Sequence, residues 1–191
     1  YLERNFQKIN KPLTKIIFDM ANFYKSFKQY DKAIKLYSEL LNKVDKDSNS
    51  YADILYRRGG SFERLKKFKK SDEDLLLSLK INPSDPYVMN YLAYSWLERG
   101  YKIDKALLML EDAYRQKEND PYIIDSIGWA YYLTKDYKRA EKYLIKAVQL
   151  MPDDPIVNDH YGDILWKLDK KIQARYFWKN TLKLKDIEEE M

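Results

Sequence analysis

Between Pro121 and Asp154 the apolar and small residues fall at helical spacing in two runs separated by a polar turn. Ile124, Ile127, Gly128 and Tyr131 stand at i, i+3, i+4 and i+7, one face of a first helix. Lys135-Asp136-Tyr137 predicts a turn. Ala140, Leu144, Ala147 and Val148 then trace the face of a second helix, which Pro152 ends. Gly128 and Ala140 are small, so the two helices can approach closely. The pattern recurs along the chain. Tyr161, Gly162, Leu165, Ala174, Trp178 and Thr181 repeat it over 155–188, and Met89, Leu92, Ala93, Trp96, Ala106, Leu110 and Ala113 over 86–120. Leu55, Gly59, Phe62, Phe68 and Leu75 carry it over 52–85, with Ser71 and Ser78 at positions held elsewhere by alanine. Ile17, Ala21, Tyr24, Tyr30, Ala33, Tyr37 and Leu40 carry it over 14–47.

The start signals keep the same rhythm. Asp85-Pro86, Asp120-Pro121 and Asp154-Pro155 are spaced 35 and then 34 residues apart. Asp can cap the free amides of a first helical turn, and Pro at the first helical position loses no hydrogen bond there. A start signal recurring at such an interval predicts stacked copies of one helix pair. The third unit has one extra residue in its middle turn, at Gly100-Tyr101-Lys102, and Ser48 to Tyr51 read as a short insertion. Residues 1–13 predict the end of a preceding unit or an N-terminal helix, and 189–191 a tail.

These positions resemble the tetratricopeptide repeat, with its small residue at position 8, aromatics at 11 and 17, alanines at 20 and 27 and proline at 32. Asn90 to Leu182 is similar to the final repeats of long bacterial proteins of this family, alphaproteobacterial ones in particular. The resemblance implies an all-α, right-handed solenoid of about five helix pairs, whose first helices line a concave groove. Each pair buries its apolar face only by stacking on its neighbours.

Composition narrows the chemistry. The 191 residues are 45% hydrophobic and 34% charged, too apolar for disorder. Five glycines and six prolines are too few for a sandwich of short strands. There is no cysteine, which excludes disulfides, thiolate zinc sites and thiol catalysis. No stretch reaches the length of a membrane span. The chain opens on Tyr1 rather than Met, as an excised or processed form would, and compartment stays open between bacterial cytoplasm and periplasm or envelope. The net charge of +5 is uneven: residues 1–85 hold 18 Lys/Arg against 12 Asp/Glu, and the remainder 17 against 18. That mild bias is weak evidence for an acidic partner.

The resemblance places candidate groove residues on the first helices: Phe18 and Asn22, then Tyr56, then Tyr87, Asn90, Tyr94 and Leu97, then Tyr122, Asp125, Trp129 and Tyr132, and finally Asp159, Asp163 and Trp166. Tyr and Trp bring large contact area at low entropy cost. Asn90 can bond a peptide backbone, and Asp125, Asp159 and Asp163 favour Lys or Arg on a ligand. The Lys/Asn/Arg clamp with which some relatives hold a C-terminal carboxylate is not assembled, because Phe18 stands where its first lysine would be. Tyr176, Phe177 and Trp178, on the last full helix, are candidates for an end contact with another chain, as an oligomer or with a different partner. Lys66-Lys67-Phe68-Lys69-Lys70 is the densest basic run and falls in a turn. His160 is the only histidine, so it has no second histidine for zinc and no motif serine for a triad. No phosphate loop, metal cluster or nucleophile motif occurs, and no cofactor is implied. The reading is a non-enzymatic scaffold that binds a peptide or helix of a protein partner. The rivals are a nucleic-acid-binding helical-repeat protein, disfavoured by the groove carboxylates, and a non-catalytic subunit of an enzyme complex.

Overall fold

The Asp-Pro signals cap helices as their spacing predicts. In a computed structural model describing residues 13–190, with side-chain surroundings through residue 184, Asp120 Oδ1 accepts from the backbone amides of Tyr122 (3.1 Å) and Ile123 (3.2 Å). Asp154 Oδ1 accepts from Ile156 (2.9 Å) and Val157 (3.1 Å), and Asp85 Oδ1 from Tyr87 (2.9 Å) and Val88 (3.2 Å). Each aspartate satisfies two of the amides that a helix start leaves without partners.

The described residues form ten helices and no strand: α1 Leu13–Ser26, α2 Tyr30–Leu41, α3 Asn49–Arg64, α4 Phe68–Ile81, α5 Pro86–Glu98, α6 Ile103–Gln116, α7 Pro121–Leu133, α8 Tyr137–Leu150, α9 Pro155–Lys167 and α10 Lys171–Glu190. This is the all-α solenoid class. The expected end of an earlier unit lies outside the described residues, except for Leu13, which opens α1. The sequence reads Ser48 to Tyr51 as an insertion. The structure makes Asn49 the first residue of α3, because Ser48 Oγ accepts from the Tyr51 amide at 3.1 Å and caps the helix early. The chain divides into two compact units, residues 1–88 and 89–191. In the first, α1 packs on α2, α2 on α3 and α3 on α4. In the second, α6 packs on α7, α7 on α8, α8 on α9 and α9 on α10, while α9 also touches α7.

Every turn within a pair is closed by one device. The amides of Gln29, Lys67, Tyr101, Asp136 and Lys170 reach back five residues to the carbonyls of Tyr24, Phe62, Trp96, Tyr131 and Leu165, at 2.8–2.9 Å. The residue before each of these donors sits in the left-handed region. Four of the five are not glycine: Lys28, Lys66, Lys135 and Asp169, with φ from 57° to 65°; the fifth is Gly100. A left-handed conformation costs an L-residue about 1–2 kcal/mol, part of which glycine gives back in unfolded-state entropy. Lys135→Gly is therefore expected to stabilise the second unit by about 0.5–1 kcal/mol. A chemical melt showing a clear loss instead would mean that the Lys135 side chain contributes more than its backbone costs.

The helices of each pair meet across small residues. Ala21, Ala33 and Tyr37 are fully buried between α1 and α2, with Leu40 and Leu55 beside them. A Cβ built on Gly59 would lie 3.0 Å from Leu75 Cγ, and one on Gly128 2.7 Å from Leu144 Cγ. The sequence pairs Gly128 with Ala140; the structure lays Leu144 across it. The first unit also holds a polar joint. Arg58 of α3 makes a two-pronged contact with Asp74 of α4, Nε to Oδ2 and Nη2 to Oδ1, both at 2.7 Å, and its third nitrogen donates to Ser38 Oγ of α2 at 3.0 Å. Burial pushes the Asp74 carboxyl above its ordinary value, with Arg58 pulling the other way.

Candidate functional site

On α1 and α3 the candidate residues belong to a cationic network. Asn22 Oδ1 accepts from the Tyr37 hydroxyl (2.7 Å) and from Arg57 (3.3 Å). The Arg57 guanidinium lies 5.1 Å over the Phe18 ring, and its Nε meets both Asp53 oxygens at 3.0 and 3.1 Å. Lys25 Nζ sits 5.9 Å over Tyr56. Burial lowers the Lys25 pKa, helped by the charges of Arg57 and Arg64. Phe18, Asn22 and Tyr56 are thus gathered on one basic face. Sequence reasoning missed Arg57; its place one helical turn after Asp53 was the available signal.

The second unit has the opposite character. Trp129 of α7 stacks on Tyr132 one way (4.7 Å between centroids, 9° between planes) and on His160 of α9 the other way (4.1 Å, 11°). Tyr94 of α5 continues the file, 6.4 Å from the imidazole. Trp129 Nε1 donates to Glu98 of α5 at 3.0 Å. Three first helices therefore contribute to one aromatic floor with carboxylates beside it. Asp163 accepts from Trp178 Nε1 at 3.1 Å and lies near Tyr132, while Trp166 packs 5.3 Å from Trp178 and stays partly exposed. Burial raises the Asp163 pKa; the neighbouring Asp159 adds to the rise, and the Trp178 hydrogen bond opposes it. Among the described residues Asn90 Oδ1 is buried with no hydrogen-bond partner.

Beneath the floor lies a contact that the sequence did not announce. His160 and Asp125 are 7% and 6% exposed, and Nδ1 is 3.0 Å from both carboxylate oxygens. Burial alone would lower the His160 pKa. The charge and hydrogen bond of Asp125, with Glu98 and Asp159 behind them, outweigh it, and the net shift is upward. Asp125 is therefore an internal partner, not the ligand-facing carboxylate expected. Leu97, expected in the groove wall, is buried at 3% exposure because α5 turns it into the core. Tyr87 and Tyr122 are exposed, whereas Asp159 is half-buried.

The far end also differs in detail. Phe177 packs edge-on against Tyr161 at 4.7 Å, and Trp178 lies half-buried over Gly162. Of the three end candidates Tyr176 alone points outward, 68% exposed, near Ile172 at 85%. In the basic turn Lys67 pairs with Asp31 at 3.1 Å and Lys70 lies over Phe62, while Phe68 is half-buried. Among the described residues no group of three potential ligands could hold a metal ion, and no helix is long and apolar enough to cross a membrane.

Comparison with known proteins agrees with the helix pairs. The tetratricopeptide repeat family matches residues 52–85 and 123–154. A TPR repeat-containing protein of Pseudomonas aeruginosa is 29% identical over 135 residues, 71% of this chain and 22% of the relative. Anaphase-promoting complex subunit 3 of Schizosaccharomyces pombe is 24% identical over 60% of this chain and 16% of its own length. The chain thus spans about a fifth or less of these relatives. Among solved structures, pilF of Pseudomonas aeruginosa superposes with a TM-score of 0.73 at 18% identity, covering 89% of this chain and 75% of pilF. MamA of Desulfovibrio magneticus gives 0.70 at 17% identity, covering 91% and 95%.

Proposed function

Starting from a chain that is a tetratricopeptide-repeat protein, a fold that supports protein-interaction scaffolds in general, we propose that its second unit binds a peptide or helix of a protein partner on the face built by α5, α7 and α9. The observation that carries this reading is the aromatic file Tyr94, His160, Trp129 and Tyr132, flanked by Glu98, Asp159 and Asp163. Its rings offer apolar area, and the carboxylates favour a Lys or Arg side chain. Binding of this kind has no catalytic step.

The test is capture of a specific partner by the wild-type chain and by the Tyr94→Ala/Trp129→Ala variant. Loss of two central aromatics is expected to weaken binding at least about 30-fold, the level of a hot spot. A partner captured equally by both, with helicity retained, removes the face from consideration. The alternative is nucleic acid, and the observation behind it is the basic face of the first unit, Arg57 over Phe18 and Lys25 over Tyr56. Tight, steeply salt-dependent binding of single-stranded RNA that is lost in Arg57→Ala would favour it. We also propose that Ile172 and Tyr176 are the residues through which the last helix meets another chain, read by sedimentation of Tyr176→Glu against wild type.

A further inference from the structure

His160 is the one basic ring in the middle of the aromatic file. Its ring is the lower partner of Trp129, 4.1 Å away and nearly parallel, and it also neighbours Tyr94. Its Nδ1 is held at 3.0 Å from both oxygens of Asp125, and both residues are buried. Trp129 is therefore sandwiched between Tyr132 and an imidazole whose orientation is locked, so a group at the edge of the file is one aromatic ring away from His160.

We propose that His160, held by Asp125, is the positioning residue of the aromatic floor, and that its protonation tunes how tightly the face takes a basic side chain. The inference rests on the peptide-binding reading above. The charged groups that bear on His160 are Asp125 from α7, Glu98 from α5, and Asp159 and Asp163 from its own helix. All four are acidic. With the imidazole protonated, the His160–Asp125 pair is neutral and one positive charge sits under Trp129. With the imidazole neutral, the pair carries the charge of Asp125 alone, and Nδ1–H still donates to it, so the geometry is kept. The floor becomes one unit more negative without being rebuilt, and a cation at the edge of the file, beside Glu98, Asp159 and Asp163, is held more tightly.

The acidic surround raises the His160 pKa despite burial, which puts the change above the range in which carboxylates titrate. The same shift fixes a stability profile. The stabilisation from His160 is full below about pH 6.5, the unfolded value, and is lost as pH rises through the raised folded value. A single histidine makes both effects traceable, because the chain gives one imidazole signal.

The experiment uses the whole chain and a capped peptide carrying two arginines among leucines, whose charge does not change with pH. Its affinity is measured from pH 6 to 9.5, with the imidazole resonance and the melting temperature followed over the same range. In wild type the peptide is expected to bind about tenfold more tightly at the upper end, with a midpoint matching that of the imidazole, while the melting temperature falls. H160Q should flatten both profiles, and D125N should move the imidazole midpoint down. D163N should weaken binding but keep the slope. Affinity independent of pH in wild type, or an equal slope in H160Q, overturns the inference while leaving the face intact as a binding site. Absence of binding, or binding indifferent to Trp129→Ala, overturns the reading of the face itself. If H160Q does not fold, the D125N titration and peptide profile decide.

Discussion

Gly128→Val is expected to destabilise the second unit by at least about 3 kcal/mol. The first added carbon would sit 2.7 Å from Leu144 Cγ, 2.9 Å from its Cδ2 and 3.2 Å from its backbone nitrogen. Leu144 is fully buried, and a backbone atom cannot rotate away, so α7 and α8 must separate. Overpacking of this kind costs about 1–3 kcal/mol for small additions, and valine adds three carbons. Gly128→Ala is expected to cost less, about 1–2 kcal/mol, because alanine regains up to about 1 kcal/mol of helix propensity. Gly59 gives an internal comparison: its added carbon would meet Leu75 no closer than 3.0 Å, and only side-chain atoms are in the way. All four tryptophans lie in the second unit, so tryptophan fluorescence during a urea melt follows Gly128→Val directly. If Gly59→Ala proved the more damaging alanine substitution, the close approach of α7 and α8 would not be what makes Gly128 necessary.

Asp74→Ala is expected to be the second-largest loss, about 3 kcal/mol in the first unit. Asp74 is buried, and its carboxylate meets Arg58 through two hydrogen bonds of 2.7 Å. Removing it leaves a largely buried guanidinium with only Ser38 among those partners. A buried charge without its counterion is costly because the protein interior does not replace water around it. The pair itself contributes much less net stability than the single deletion suggests, since both ions were desolvated to form it. Arg58→Met/Asp74→Leu should therefore recover most of the loss. Far-UV circular dichroism melts of the two variants separate these outcomes. A double variant as unstable as Asp74→Ala would show that the pair stabilises the joint by more than cancelling its own desolvation.

Much of the helix pattern was legible along the chain. Asp120 and Asp154 are readable because a cap acts on amides two and three residues away. Ile124, Ile127 and Tyr131 are readable because a helix brings such positions onto one face. Ser48 shows the limit even of local reading: it looked like part of an insertion, yet its hydroxyl starts α3 one turn earlier. The candidate site was legible in outline only. Tyr94, Trp129 and Tyr132 were chosen by their register in the repeat, and the structure brings them into one file. His160 carries no mark of a site in the sequence, having no second histidine for zinc and no motif serine for a triad. Its partner is 35 residues away, and the contact depends on α9 touching α7 as well as α8. Asp125 and Leu97 stand outward in the same register that serves Trp129, but the structure buries both, Asp125 against His160.

Local spacing determined where helices start, where they turn and which stripe each one buries, because those signals act within four or five residues of backbone. The three-dimensional packing alone decided which polar side chains meet: His160 with Asp125, Arg58 with Asp74, Arg57 with Asn22. Such pairings follow from the depth and rotation at which one helix seats on another. Those are fixed by whole-face packing of residues like Gly128 against Leu144, a collective property that no short window of the chain contains.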